Sequence, residues 1–138
     1  MDIVFFRDWL STCPHITAPV SLEYLEAVPG ATALFSAGNR EVSRCNDVAG
    51  NVWVTCRSSF SLLRRVPRLA DGAGYAQWLL DLQAWIQHKC IRGETPQVGA
   101  LVVCVQAQNG HLQRDTADSM GVYKVALDVE YVKMYPAK

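Results

Sequence analysis

The last long segment of the chain, VYKVALDVEYVKMY at residues 122–135, alternates between two kinds of side chain. Successive side chains of an extended strand point to opposite sides. One side of this segment would therefore carry Tyr123, Val125, Leu127, Val129 and Tyr131. The other side would carry Lys124, Asp128 and Glu130. Such a strand buries one face in a core and leaves the other to water or to another surface, so the chain needs a sheet with two different faces.

A second segment, VWVTCRSSFSLLRRV at residues 52–66, repeats this alternation. One predicted face carries Val52, Val54, Cys56, Phe60 and Leu62, and the other carries Trp53, Thr55, Arg57, Ser59 and Ser61. The segment is long for one strand, so we expect a bend or a bulge near Ser58-Ser59. Pro67 has no N–H for a ladder and should end it.

Two segments have helical spacing. Residues 2–13 place apolar side chains on one stripe, with Asp2 available as an N-cap and Pro14 as a stop. Residues 74–90 carry a larger stripe: Tyr75, Trp78, Leu79, Leu82, Trp85 and Ile86. At roughly 1.5–3 kcal/mol per fully buried large side chain, this second helix is the strongest packing element of the sequence. We expect it to lie across the sheet.

The remaining segments are shorter or more polar. ATALFS at residues 31–36 follows the Pro29-Gly30 turn signal and can extend, whereas residues 39–51 predict an exposed connection or a weak edge strand. ALVVCVQA at residues 100–107 predicts a strand that reaches Asn109-Gly110, a common hairpin turn. HLQRD should then return beside it, and TADSMG at residues 116–121 predicts another break.

These elements predict an α+β fold: a mainly antiparallel sheet with two helices packed on one face, in a single compact domain spanning residues 1–138. Thirteen basic side chains balance thirteen acidic ones, so a strong positive field for nucleic acid is missing. No apolar run approaches the roughly 18 residues of a membrane helix. The acidic N-terminal start argues against export, so we expect synthesis and assembly in a reducing cytoplasm.

Catalytic signals are weak. The five cysteines are odd in number and widely spaced, and the three histidines lie apart, so the spacing predicts neither a disulfide framework nor a metal site. DGAGYAQW lacks the spacing and the lysine of a phosphate loop. Asp128 and Glu130 share a strand face, as a glycosidase pair would, but no apolar setting on that face separates their pKa values. We therefore predict no catalytic residue and no cofactor.

An arginine cluster at the end of the second strand segment remains. It comprises Arg57, Arg64, Arg65 and Arg68. A solvated strand end is one interpretation, and a surface for an acidic partner is the other, because arginine is favoured at interfaces. With Lys124, Asp128 and Glu130, these residues form the predicted subunit or partner interface.

The order of these pieces resembles a known family. The motifs are Glu23-Tyr24-Leu25, the long two-sided strand, the helix with Trp78 and Trp85, and the final strand ending in EYVKMY. Over residues 20–135 this arrangement resembles the tail-terminator proteins of long-tailed bacteriophages, also labelled minor capsid proteins.

The resemblance implies a structural virion protein without enzymatic activity. It implies a homo-oligomeric ring of six subunits at the head-proximal end of the tail. That ring would cap the finished tail tube, stop its polymerisation and dock the head-completion or neck proteins, with DNA as passing cargo in the lumen. Loops 36–51 and 92–98 would be contact arms. Two alternatives stay open: another neck or head-completion protein, and a small cytoplasmic enzyme or ligand-binding domain using Asp128, Glu130 and a histidine.

Overall fold

The computed structural model describes residues 1–28, 30–67, 73–97, 101–115 and 120–138, and their side chains apart from those of 67, 73, 75, 103, 108–115 and 120. The elements in chain order are α1 (Ile3–Ser11), β1 (Val20–Leu22), β2 (Thr32–Asn46), β3 (Val52–Pro67), α2 (Ala73–Ile91), β4 (Leu101–Asp115) and β5 (Met120–Tyr135). The predicted α+β class is confirmed.

All five strands belong to one sheet, in the order β1-β2-β3-β5-β4. The ladders β2–β3, β3–β5 and β4–β5 are antiparallel, whereas the short β1 runs parallel to β2. The sheet is therefore mixed, and the prediction of a mainly antiparallel sheet holds for its long strands. The central ladder pairs Val52 with Tyr135 at one end and Pro67 with Met120 at the other without a register shift.

The irregularity expected near Ser58-Ser59 lies on the neighbouring strand. The β2–β3 register shifts between Ser36 and Gly38, opposite Phe60 and Ser59, so the extra residue is in β2. Gly38 has a φ of +134°, a backbone conformation that glycine adopts without strain. The central strand stays regular because it has a hydrogen-bonded neighbour on each side, whereas β2 lacks that second neighbour over most of its length.

The hairpin predicted at Asn109-Gly110 is wrong. β4 continues through these two residues to Asp115, and they fall at a register shift between Gln108 and His111 against β5. Residues on both sides of this shift pair with β5, so HLQRD extends the strand instead of reversing. Most of the break predicted over residues 116–121 lies outside the described residues. Residues 39–46 belong to β2, which confirms the edge-strand alternative for that part of the 39–51 segment.

The hydrophobic core lies between one sheet face and the two helices. Asp2 caps α1, since its carboxylate accepts from the backbone N–H groups of Val4 and Phe5. The buried members are Phe6, Leu10, Cys13, Ile16, Val20, Leu34, Phe60, Leu62, Leu82, Ile86, Val102, Val105, Val125, Leu127, Val129 and Tyr131. Both predicted helices and the predicted apolar face of the last strand meet here. Of the predicted α2 stripe, Tyr75 lies outside the described side chains.

Part of the sheet continues beyond this core. Every residue of β2 from Ser36 to Asn46 is exposed, and the core cluster contains no residue from 36–55 or 132–135. We call residues 38–55 and 132–135 the arm: the outer half of the β2–β3 hairpin together with the end of β5, which pairs with β3 there. The arm is a three-stranded extension built on the same ladders as the core.

Candidate assembly surface

The tip of the arm is held by one carboxylate. Asp47 Oδ1 accepts the backbone N–H groups of Ala49 and Asn51, both at 2.9 Å. Its Oδ2 accepts the side-chain amide of Asn51 at 2.9 Å and the indole N–H of Trp53 at 3.0 Å. These four donors fix the turn between β2 and β3. They also lower the pKa of Asp47, and the indole of Trp53 is the largest cause.

The fixed turn presents an apolar side chain at its end. Val48 is fully exposed beyond the carboxylate that organises its neighbours. The rest of the arm carries further large apolar side chains with exposed surface: Val42, Trp53, Met134 and Tyr135. Trp53 and Met134 lie opposite each other on one face of the arm, and Tyr135 lies on the other face, so the arm carries exposed apolar side chains on both of its faces.

The arm also has an unpaired sheet edge. β1 pairs with β2 only from Thr32 to Leu34. Just beyond β1, Glu23 forms hydrogen bonds with the next backbone groups on the edge of β2. Its N–H donates to Leu34 O at 3.0 Å, and its carboxylate accepts Ser36 N–H at 2.7 Å. Among the described residues, no group pairs with the outer backbone edge of β2 from Asn39 to Asn46.

At the opposite edge of the sheet, some backbone groups are hydrogen-bonded by a helix. β4 is the outermost strand there, and two of its carbonyl groups accept hydrogen bonds from α2. Gln83 Nε2 donates to Ala107 O at 3.0 Å, and Cys90 Sγ donates to Val105 O at 3.7 Å. Proteins commonly cover strand edges to prevent pairing with other chains. The outer half of β2 is thus left open, whereas α2 bonds to two carbonyl groups of the edge strand β4.

The charged residues predicted on the second sheet face do share that face. Arg57 pairs with Glu130 across β3 and β5, with Arg57 Nη2 at 3.8 Å from Glu130 Oε2. Asp128 accepts from the Ser59 hydroxyl at 2.7 Å. Lys124 lies opposite Leu63 on β3. No described helix covers this face, and its charged side chains are half-buried among their neighbours.

The predicted arginine cluster is divided by the fold. Consecutive strand residues point to opposite faces. The side chain of Arg64 lies on the core face, where its guanidinium is 4.8 Å from the ring centroid of Trp78. Arg65 follows the other face and is buried, with Nε donating to Glu26 O at 3.0 Å. Arg57 lies farther along β3, beside Glu130. Arg68 lies outside the described residues, so the structure assigns different surroundings to the three arginines that it describes.

An enzyme or ligand-binding domain would need a cleft, and one lies between α2 and β4. It has a volume of about 410 Å³ and is lined by Gln83, Ile86, Gln87, Cys90, Ile91, Cys104, Val105, Gln106 and Ala107. Burial is the main cause that raises the pKa of the Cys104 thiol, which disfavours the nucleophilic thiolate. Neither Asp128 nor Glu130 lines this cleft, so the predicted carboxylates do not serve it.

Two further observations concern metals and membranes. Among the side chains that the structure describes, no group of three or more histidine, cysteine, aspartate or glutamate residues is arranged to hold a metal ion. No helix within the described ranges has both the length and the apolar character needed to span a membrane.

Several residues of the arm were not identified from the sequence. The prediction for residues 39–51, an exposed connection or a weak edge strand, includes neither the role of the Asp47 carboxylate nor the exposed Val48. The DVAGN sequence did carry a signal, since an aspartate four residues before an asparagine can close a turn through its own side chain. The sequence contains no comparable signal for the open edge of β2, because that edge is open only where the short β1 does not reach.

The comparisons with known proteins add no relative. No family model matches the chain, and a search of curated proteins finds no match.

Proposed function

We propose that the chain is a structural subunit of a bacteriophage tail, a tail terminator that forms a ring on the finished tail tube. The observation that carries the proposal is the arm, an exposed three-stranded extension with apolar side chains and an open edge. A surface of this kind serves contact with another protein. The specific assignment to a terminator rests on the likeness of the sequence motifs to that family.

A closed ring needs two different surfaces on each subunit, because each interface joins one surface to the other. The arm supplies one of them. The second candidate lies across the sheet, where Ile91 and Leu101 are exposed beside the cleft between α2 and β4. In the proposed ring, the tip of one arm packs against this α2–β4 surface of the next subunit.

Because Val48 is exposed and lies outside the hydrophobic core, substitutions there test the arm without disturbing the core. Val48→Asp should leave the fold intact and prevent ring formation, and Ile91→Asp should do the same from the other surface. Val4→Asp makes the same substitution at an exposed valine of α1, outside both surfaces, and serves as the matched control. Light scattering and negative-stain microscopy of the purified protein on tail tube ends measure the outcome.

Mixing the two variants separates a ring from other assemblies. A mixture of Val48→Asp and Ile91→Asp retains one intact pairing, the arm of the second variant with the α2–β4 surface of the first. The mixture should form heterodimers and stop there. Rings from either variant alone would contradict this arrangement of the interface.

The terminator role itself is tested in infected cells. When the protein is absent, tails should grow to uncontrolled lengths, because nothing caps the tube. Tails of normal length that fail to join heads would instead assign the protein to the neck, and normal phage particles would exclude both roles.

A further inference from the structure

The open edge of β2 has a definite pattern of outward-facing backbone groups. In an antiparallel ladder, successive residues alternate between facing the partner strand and facing away. Leu34 and Ser36 lie opposite Leu62 and Phe60 of β3, and their backbone groups face outward, where they bond to Glu23. Residues of β2 opposite even-numbered residues of β3 therefore face outward.

The same rule holds along the arm. Asn39, Glu41, Arg44 and Asn46 lie opposite Ser58, Cys56, Val54 and Val52. Asp47 N–H bonds inward to Asn51 O at 3.0 Å, which agrees with an outward-facing Asn46 directly before it. The bulge at Val42 explains why the outward positions jump from 41 to 44.

This spacing is self-complementary. In an antiparallel pair of two β2 edges, placing Glu41 opposite Arg44 of a second copy also places Arg44 opposite its Glu41 and Asn39 opposite its Asn46. All four outward residues then meet outward residues, and the two bulges lie side by side. Shifting the pair by one residue either way, or by two residues in one direction, places an outward residue against an inward one, and the two-residue shift in the other direction places Glu41 against the bulged Val42.

The charges favour the same register. Glu41 and Arg44 share a sheet face and already contact each other within one chain at 2.6 Å. In the paired edges, each Glu41 carboxylate lies between its own Arg44 and the Arg44 of the second copy. Opposite charges directly across two strands stabilise the pair, whereas like charges would oppose it.

We infer that two copies of this chain pair through the outer edges of their β2 strands, over Asn39–Asn46, in a two-fold antiparallel arrangement that joins their sheets. The inference concerns the free protein and does not depend on the proposed ring. It pairs the outward-facing backbone groups of β2 from Asn39 to Asn46, to which no group among the described residues bonds, and it also covers part of the exposed Val42.

A cross-link tests the register. Arg40 and Cys45 lie opposite Arg57 and Trp53 on one sheet face, and their backbone groups face β3. In the proposed pair they would stand opposite each other at a Cα separation of about 4.5 Å, which is within the range for a disulfide. Arg40→Cys should therefore form a dimer with two disulfides to the native Cys45 residues under oxidising conditions.

Two control variants test whether the cross-link depends on the proposed register. Arg40→Cys combined with Cys45→Ser should stay uncross-linked, because the two copies of position 40 are separated along the pair by the length of about four regular strand residues, roughly 14 Å, since the bulge takes up one residue. Val42→Cys, which would face Ser43, should not bond to Cys45 either. Cross-linking of Val42→Cys but not of Arg40→Cys would overturn the proposed register.

A backbone substitution tests the pairing without a cross-link. Arg44→Pro removes an N–H group that faces the open edge, while Arg44→Ala removes the same side chain and keeps that group. Because the symmetric pair loses two donors, Arg44→Pro should dimerise at least about tenfold more weakly than Arg44→Ala. Circular dichroism establishes that both variants retain the fold.

Sedimentation equilibrium over a concentration series up to about 1 mM measures the association. The expected result is a reversible dimer for the native chain and for Arg44→Ala, and a monomer for Arg44→Pro. A native protein that stays monomeric throughout, or Arg44→Pro and Arg44→Ala variants that dimerise equally well, would overturn the inference. If the free Arg40→Cys protein forms no cross-linked dimer while the native chain still forms rings on tail tubes, the inference is overturned and the proposed function stands.

Discussion

The carboxylate of Asp47 accepts the indole N–H of Trp53 at 3.0 Å, across the base of the turn that ends the arm. This contact joins the first residue of the turn, directly after β2, to the beginning of β3. It makes the indole a reporter of the order of the tip.

We expect Asp47→Asn to loosen this tip. The amide that replaces the carboxylate cannot serve all four donors, because one of its two polar atoms is itself a donor. The indole N–H of Trp53 should lose its protection from hydrogen exchange, as measured by NMR. Asp8→Asn, on an exposed part of α1, is the control for an unrelated loss of charge, and unchanged exchange of Trp53 in Asp47→Asn would contradict the role given to the carboxylate.

The order of the tip should also depend on pH. The pKa of Asp47 is lower in the folded chain than its ordinary value of 3.8, so folding favours the ionised form. Its contribution is fully present above the ordinary pKa and is lost as the pH falls through the lower, folded value. The NMR shift of the Trp53 indole N–H should titrate below pH 3.8 and should stay constant above about pH 5.

Two arginines of the predicted cluster should differ in their effect on stability. Arg65 is buried and donates to Glu26 O, so Arg65→Ala removes both this hydrogen bond from a charged donor and the packing of a buried side chain, and it should cost about 1–3 kcal/mol of unfolding free energy. Arg57→Ala removes a partly exposed ion pair and should cost about 0–1 kcal/mol. Urea denaturation measures both, and equal losses would contradict the difference in burial.

The packing of α2 predicts a second matched pair. Leu82 is fully buried in the core, and Leu80 on the same helix is 59% exposed. Leu82→Ala should lower the unfolding free energy by about 2–5 kcal/mol because it leaves a cavity. Leu80→Ala should stay within about 0.5 kcal/mol of the native protein. The same denaturation experiment compares them, and a large loss in Leu80→Ala would mean that the helix faces the sheet differently.

Glu23 combines an unusual backbone with a capping side chain. Its φ of +57° lies in the left-handed region, where a side chain costs roughly 1 kcal/mol relative to glycine. Glu23→Ala should therefore be less stable than Glu23→Gly by about 1 kcal/mol, the reverse of the usual order in a strand. Both variants lose the acceptor for Ser36 N–H, so their difference reports the backbone alone. Thermal unfolding with equal or reversed stabilities would contradict this assignment.

Much of the fold could be predicted because it follows from local patterns. The alternation at residues 122–135 and 52–66 defines two strands, and the apolar stripes define two helices that need one sheet face. Asp2 acts as the predicted cap. The hairpin at Asn109-Gly110 failed because pairing with β5 on both sides of the dipeptide outweighs its turn preference.

The candidate site was harder to predict because it depends on relations between distant segments. Strand alternation, a local pattern, already separates Arg64 from Arg65. The pairing of Arg57 with Glu130 was not predicted, because it requires β3 and β5 to be neighbours in the sheet. The open edge of β2 follows from the short β1 and from the side chain of Glu23. Neither local periodicity nor composition contains that information.

The regular ladder between β3 and β5 has a mechanical consequence. These central strands are paired over 16 residues, about 50 Å, without a register shift, whereas the ladders on either side are bulged. A pull along the arm would load the hydrogen bonds of the central ladder in shear, so that many bonds resist together. A force perpendicular to the strands would be resisted only by the bending stiffness of the sheet and by the bulged ladders on either side. The arm is therefore stiff along its length and more compliant across it, and a force applied at Val48 would reach the helix-covered half of the molecule through these two strands.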